Sequence, residues 1–157
     1  MQRIAVFQAS YVTVTGGEPL AQKSCLLLLE SLCDRGFRVS LETSGALDVA
    51  AVDPRVVIVM DLKAPGSGEQ GRNRWENLDH LREKDQIKFV LAGKEDYDWA
   101  VAQMKARDLA ARAQLLFSPV FGQMQPAELA TWILRDRLPV RFQLQLHKVL
   151  WGEEPGR

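Results

Sequence analysis

Five consecutive apolar residues, Val56-Val57-Ile58-Val59-Met60, run without a polar interruption. A strand with one wet face alternates apolar with polar residues. An unbroken β-branched run therefore predicts a strand covered on both faces, as in parallel sheets. Further runs of similar character lie at Tyr11–Val14, Phe37–Leu41, Ile87–Leu91, Gln114–Phe117 and Val140–Leu144, and Ile4–Phe7 is one more candidate. Segments of helical period separate them. Residues 20–34 predict a helix stopped by Gly36 in a left-handed conformation. Residues 95–111 predict another, with Trp99, Ala102, Ala106, Leu109 and Ala110 on one face. Pro126 suits the first position of a third, with Leu129, Trp132 and Ile133 inward. A weaker helix is expected over 73–84 through Trp75, Leu78 and Leu81. Alternation of this kind predicts an α/β chain built from parallel βαβ units in a single domain over 1–157, with 152–157 as a solvated tail.

Composition narrows the function. Lys and Arg total 20 and Asp and Glu total 20, so no basic excess exists to track a nucleic-acid backbone. No stretch approaches the ~20 apolar residues of a membrane span, and no apolar leader stands at the amino terminus, so no membrane partner and a cytoplasmic location are expected. The two cysteines, Cys25 and Cys33, fall in one apolar helical stretch. Eight helical positions separate them by about 12 Å along the axis, beyond disulfide reach. They read as small core residues.

The strand ends carry the chemistry. Residues 11–14 lead into Thr15-Gly16-Gly17-Glu18-Pro19, 37–41 into Glu42-Thr43-Ser44-Gly45, and 56–60 into Asp61-Leu62-Lys63. Phe117 leads into Ser118-Pro119, and the last strand ends near Gln145 and His147. Parallel α/β sheets and barrels bind ligands at the carboxyl edge of their strands, so polar groups at successive ends predict a site there. Exposed turns are polar in any protein, and it is the coincidence of several ends that carries weight. Two glycines let a ligand approach the backbone at 16 and 17, Glu18 offers a carboxylate to an ammonium, and Pro19 fixes the exit.

Thr15 to Pro19 resembles the Gly-Gly-Glu-Pro motif of radical S-adenosylmethionine enzymes. The string Val12 to Gln22 is similar to 7-carboxy-7-deazaguanine synthases in particular, and further matches follow in order. They are Glu42 to Gly45, Asp61 to Gly68, Lys88 to Leu91, Ser118 to Gly122, and Gln143 to Lys148 with Trp151. The resemblance implies a partial, open TIM-like parallel barrel, N-terminally truncated, with residues 1–10 as a divergent start. It implies a ring contraction of 6-carboxy-5,6,7,8-tetrahydropterin to 7-carboxy-7-deazaguanine with loss of ammonia, on the route to queuosine. It places S-adenosylmethionine against Gly16, Gly17, Glu18, Thr43, Ser44, Asp61, Leu62, Lys63, Ser118, Pro119, Val120 and Phe121. Thr15 and His147 would contact the pterin. The family also implies a four-iron four-sulfur cluster, Mg2+, an electron donor such as flavodoxin, and a possible homodimer.

The cluster cysteines and the magnesium-binding Thr of the family have no counterpart before Thr15. The expectation is that this chain alone does not perform the radical reaction, and no residue is assigned as catalytic or metal-ligating. A glycyl-radical activating enzyme is a second reading, and a non-catalytic cofactor-binding or dimer-partner relic a third. Gly66-Ser67-Gly68-Glu69-Gln70-Gly71 also fits a dinucleotide-binding pattern. Lys63, Ala64 and Pro65 separate it from the strand end, so a flexible surface loop is the expected reading.

Overall fold

The computed structural model describes residues 9–152, apart from the side chain of His147. Six strands form one sheet: β1 (Tyr11–Val14), β2 (Arg38–Thr43), β3 (Val57–Leu62), β4 (Gln86–Leu91), β5 (Gln114–Pro119) and β6 (Arg141–Phe142). Their spatial order is their sequence order, and every neighbouring pair is parallel. Such single winding adds each strand to the same edge, as in a TIM-like barrel, whereas a dinucleotide-binding sheet reverses at a switch point. The barrel is open, and the α/β expectation holds. The candidate strand at Ile4–Phe7 lies outside the described residues.

Helices α1 (Cys25–Asp34), α2 (Lys94–Ala106) and α3 (Pro126–Arg135) cover one face, and a short α4 (Leu146–Trp151) follows β6. The core lies between that face and the helices. Leu41, Ile58, Met60, Leu62, Ile87, Phe89, Leu115 and Phe117 of the strands meet Leu29, Leu32, Tyr97, Ala100, Leu129 and Ile133 of the helices. Edge-to-face contacts join Phe89 to Phe117 at 5.5 Å and Tyr97 to Phe117 at 6.0 Å. Each fully buried large side chain here contributes about 1.5–3 kcal/mol.

The sheet's second face differs from the expectation. β3 was expected to be covered on both sides, yet only Ile58, Met60 and Leu62 are buried, while Val57, Val59 and Asp61 are half-buried. Those three residues line the concave inner face of an open barrel, beside Ser40 and Glu42 of β2 and Gln86 and Lys88 of β4. Valine on that wall reflects the β-sheet preference of branched side chains as much as burial.

Other boundaries moved for local reasons. The helix expected from residue 20 begins at Cys25, because Pro19–Ala21 close a separate 3-10 turn on Glu18. It ends as expected: Gly36 is left-handed at φ 84°, and the amides of Gly36 and Phe37 return to Cys33 and Leu32. Helix α2 stops at Ala106, and its buried face is Asp96, Tyr97, Ala100 and Met104. The Tyr97 ring takes the place against Phe117 and Trp132, which rotates Ala102 and Ala106 to solvent. Residues 73–84 form no α-helix but a 3-10 turn at Trp75–His80. β6 keeps two residues of the expected 140–144, since Pro139 brings no amide and the chain leaves the sheet after Phe142.

Candidate functional site

Three structures converge at the carboxyl edge. The first is the glycine turn after β1. Gly16 and Gly17 adopt φ values of 106° and 60°, and a Cβ on either would meet open space. They are required by backbone conformation, which L-residues adopt at a cost. The Glu18 carboxylate accepts hydrogen bonds from Thr43 Oγ1 at 2.8 Å, Ser44 N–H at 2.8 Å, Leu20 N–H at 3.2 Å and the Ser44 hydroxyl. Glu18, Thr43 and Ser44 are thus brought together as a strut between the ends of β1 and β2. The acceptor capacity of the Glu18 side chain is filled by protein donors.

The second is a cleft of about 350 Å³ behind β3 and β4, bounded by Asp61, Lys63, Val90, Val120 and Gln145. Lys63 Nζ lies 2.8 Å from Asp61 Oδ2. Asp61 Oδ1 is sealed from water and meets no donor among the described residues. A buried lone acceptor is costly unless something donates to it. The third is a neighbouring cleft of about 500 Å³ lined by Thr15, Glu42, Lys88, Ser118, Gln143 and Gln145. Lys88 pairs with Glu42 at 3.8 Å and stands beside Asp61 in the β3–β4 register. Gln145 borders both clefts.

The expected residues divide among these places. Asp61, Leu62, Lys63 and Val120 share one cleft, and Thr15 and Ser118 share the other. Pro119 and Phe121 turn instead into a separate, more apolar hollow of about 250 Å³ with Met124 and Val149. Alternation along the strand end explains the split, because successive side chains point to opposite faces. His147 sits in α4, and its side chain lies outside those described. Glu42 and Gln145 stand among the polar strand ends read from the sequence but were given no ligand role there, and Lys88 and Gln143 were not assigned to the site. The signal was present: Glu42 and Lys88 are polar at inward positions of strands that are otherwise apolar.

No protein-family model matches the chain. Individual relatives do. The 7-carboxy-7-deazaguanine synthase of Chlorobaculum tepidum is 46% identical over 157 residues, spanning 98% of this chain and 71% of the relative. That of Koribacter versatilis is 40% identical, over 91% of this chain and 70% of the relative. The chain belongs to the 7-carboxy-7-deazaguanine synthase family. Among solved structures, QueE from Escherichia coli superposes with a TM-score of 0.57 at 25% identity, over 91% of this chain and 61% of that one. SuiB from Streptococcus suis, bound to S-adenosylmethionine, gives 0.56 at 12% identity over 86% of this chain and 38% of that one, a likeness of fold. The chain thus spans about 70% of the first two synthases and less than two thirds of QueE.

The residues of this chain fit one family cofactor and not another. A polar cleft of about 350 Å³ lined by Asp61, Lys63, Ser67, Gln123 and Gln145 suits a nucleoside bearing hydroxyl and amine donors. Its thiols do not fit an iron–sulfur cluster. Cys25 is buried in the core, and burial, then the charge of Glu18, pushes its pKa up. Cys33 is raised too, by burial first and then by Asp53. Ligation needs thiolates close together, and both shifts oppose the thiolate. No group of three or more His, Cys, Asp or Glu side chains placed to hold a metal ion occurs among the described residues. The dinucleotide pattern dissolves as well: Pro65–Ser67 and Gln70–Arg72 are 3-10 turns with no α-helix behind them. That loop is pinned rather than free, since Gly66 N–H donates to Asp96 at 2.7 Å and Ser67 Oγ to Ala64 O at 2.6 Å.

Proposed function

We propose that this chain forms the S-adenosylmethionine-binding and pterin-binding body of a 7-carboxy-7-deazaguanine synthase. The overall reaction converts 6-carboxy-5,6,7,8-tetrahydropterin to 7-carboxy-7-deazaguanine and ammonia. The observation that carries the reading is the pair of adjoining clefts at the carboxyl edge, one built on Asp61 and Lys63 and the other on Thr15, Lys88 and Ser118. Two ligands that react with each other need two compartments with a common border, and Gln145 stands on that border.

In this reading the first cleft takes the adenosyl end of the cofactor. Asp61 accepts from a ribose hydroxyl or the adenine amine, and the Lys63 ammonium holds the carboxylate in place. The Gly16–Gly17 backbone, open on its Cβ side, takes the methionine end. The second cleft receives the pterin, whose donors and acceptors match Thr15, Ser118, Gln143 and Gln145. When bound, S-adenosylmethionine supplies the radical initiator of this family, and the residues described here bind and orient it. None of them holds the cluster, so the chain's own contribution is recognition.

Isothermal titration calorimetry of the chain with S-adenosylmethionine, and then with 6-carboxypterin as an oxidation-stable substrate probe, tests the proposal. Saturable binding of both is expected, with Asp61→Asn weakening the first by about tenfold. Absence of any S-adenosylmethionine heat at millimolar ligand sinks it.

A further inference from the structure

We infer that Asn73 is a positioning residue for the cofactor cleft, acting through the backbone of Lys63; the inference rests on the function proposed above. Asn73 is 8% exposed, and its whole side chain is spent on one neighbour. Oδ1 accepts from Lys63 N–H at 2.8 Å, and Nδ2 donates to Lys63 O at 2.9 Å. An amide group that engages both backbone groups of one residue imitates an adjacent strand. It does so one residue past the end of β3, where ladder pairing has stopped at Leu62. Only Asn or Gln carries a donor and an acceptor in this planar arrangement, and Asn has the shorter reach.

Four residues further on, Asn77 does the same for the preceding strand end. Fully buried, it donates to Gly45 O at 2.9 Å and Leu47 O at 2.8 Å and accepts from Val49 N–H at 3.2 Å. Arg74 N–H adds a bond to Gly45 O at 3.3 Å. One short segment, 73–77, therefore splices the loops after β2 and β3. This also accounts for the missing helix at 73–84, because these side chains and the Arg74 amide are committed to other segments. Asp96 completes the frame from the far side, accepting from Gly66 N–H at 2.7 Å and Ala92 N–H at 2.8 Å. Lys63 is consequently held by its main chain from Asn73 and by its ammonium from Asp61. The orientation of the Asp61–Lys63 pair in the cleft follows from that double anchorage.

The test uses the full chain with Asn73→Ala, Asn73→Asp and, as a control for stability alone, Asp85→Asn. Asp85 is also buried but binds Ile58 N–H and Arg82 N–H at the amino edge of the sheet. Amide hydrogen exchange at Lys63 and affinities for S-adenosylmethionine and 6-carboxypterin are measured. Asn73→Ala is expected to speed exchange at Lys63 and weaken S-adenosylmethionine by about tenfold, with pterin affinity within about twofold. Asn73→Asp retains the acceptor for Lys63 N–H, so it is expected to keep that amide protected while losing part of the affinity. Should Asn73→Ala not fold, the Asn73→Asp pattern decides alone. Equal affinity losses in Asn73→Ala and Asp85→Asn, or unchanged exchange at Lys63, overturn the inference. A wild-type chain that binds no S-adenosylmethionine refutes the proposed function instead, and exchange at Lys63 then decides whether Asn73 holds that peptide.

Discussion

Glu18 shows how a residue read as a ligand contact can be a structural tie. Its carboxylate gathers donors from Leu20, Thr43 and Ser44, and so fixes the glycine turn against β2. Glu18→Gln keeps the shape but turns one acceptor oxygen into an NH2 group facing N–H and O–H donors. The expected cost is about 1–3 kcal/mol, read as a lower urea midpoint with an unchanged slope. An unchanged midpoint at pH 7 would show that the strut does not bear on folding. A second tight spot is Gly66, where a Cβ would stand 2.6 Å from Asp96 Oδ2. Asp96 is held by two backbone amides and cannot retreat without breaking them, so Gly66→Ala is expected to lower the urea midpoint and loosen the loop behind Lys63. Tolerance of alanine at 66 with full S-adenosylmethionine affinity would contradict that.

At the scale of elements, the strands were legible because their apolar runs are short, β-branched and bounded by Gly, Pro or charge. The coverage of their faces was not. Val57 and Val59 look identical to Val39 in sequence, yet the first two line an open wall and the third is core. Only the closure geometry of the sheet decides this. The residues of the candidate clefts were legible at Asp61–Lys63, Thr15, Glu42, Ser118 and Gln145, since each lies at or just past the carboxyl end of an apolar run. Lys88 and Gln143 were not read for the site because their inward direction depends on register, and neither were Asn73 and Asn77, whose partners lie in other segments. Helix α1 carries a prediction of its own. Cys25 faces the core while Cys33 is partly open, and both thiols are free. One thiol is therefore expected to react with a disulfide reagent in the native chain, and the other only after unfolding. Anaerobic reconstitution with iron and sulfide is expected to leave no stable visible absorption band. A band abolished by replacing Cys25 and Cys33 would overturn the placement.

For the molecule as a whole, the two faces of the sheet divide the labour. The charges of the site stand on the inner wall, whereas the groups with displaced pKa values sit on the loops and helices around it. Asp53 is held down to about 2, chiefly by its hydrogen bond from Arg55. Asp136 lies well below the usual carboxylate range through Arg135 and then Tyr97, and Asp48 is lowered by the Ala50 amide. A depressed carboxylate stabilises the fold above its unfolded value near pH 4 and loses that contribution as pH falls toward the folded value. Burial raises Cys25, Cys33 and Tyr97, the last also through Asp136. An acid raised in the folded state supports folding below its ordinary pKa, and that support is lost as pH climbs from there toward the folded value. Lys84 works the other way, because burial lowers its pKa and the cost of protonating it disappears at high pH. Three groups oppose one, so the urea midpoint is expected to be flat between about pH 5 and 8 and to fall on both sides, below about 4 and above about 9. Tyr97→Phe removes a phenol that donates to Asp136 at 2.7 Å and should flatten the alkaline limb above about pH 10. Because Tyr97 packs under α3 and away from both clefts, S-adenosylmethionine affinity at pH 7.5 should be unchanged in that variant. A midpoint that rises between pH 8 and 10 in the wild type, or a Tyr97→Phe chain that loses the ligand, would mean that the outer layer and the inner wall do not titrate separately.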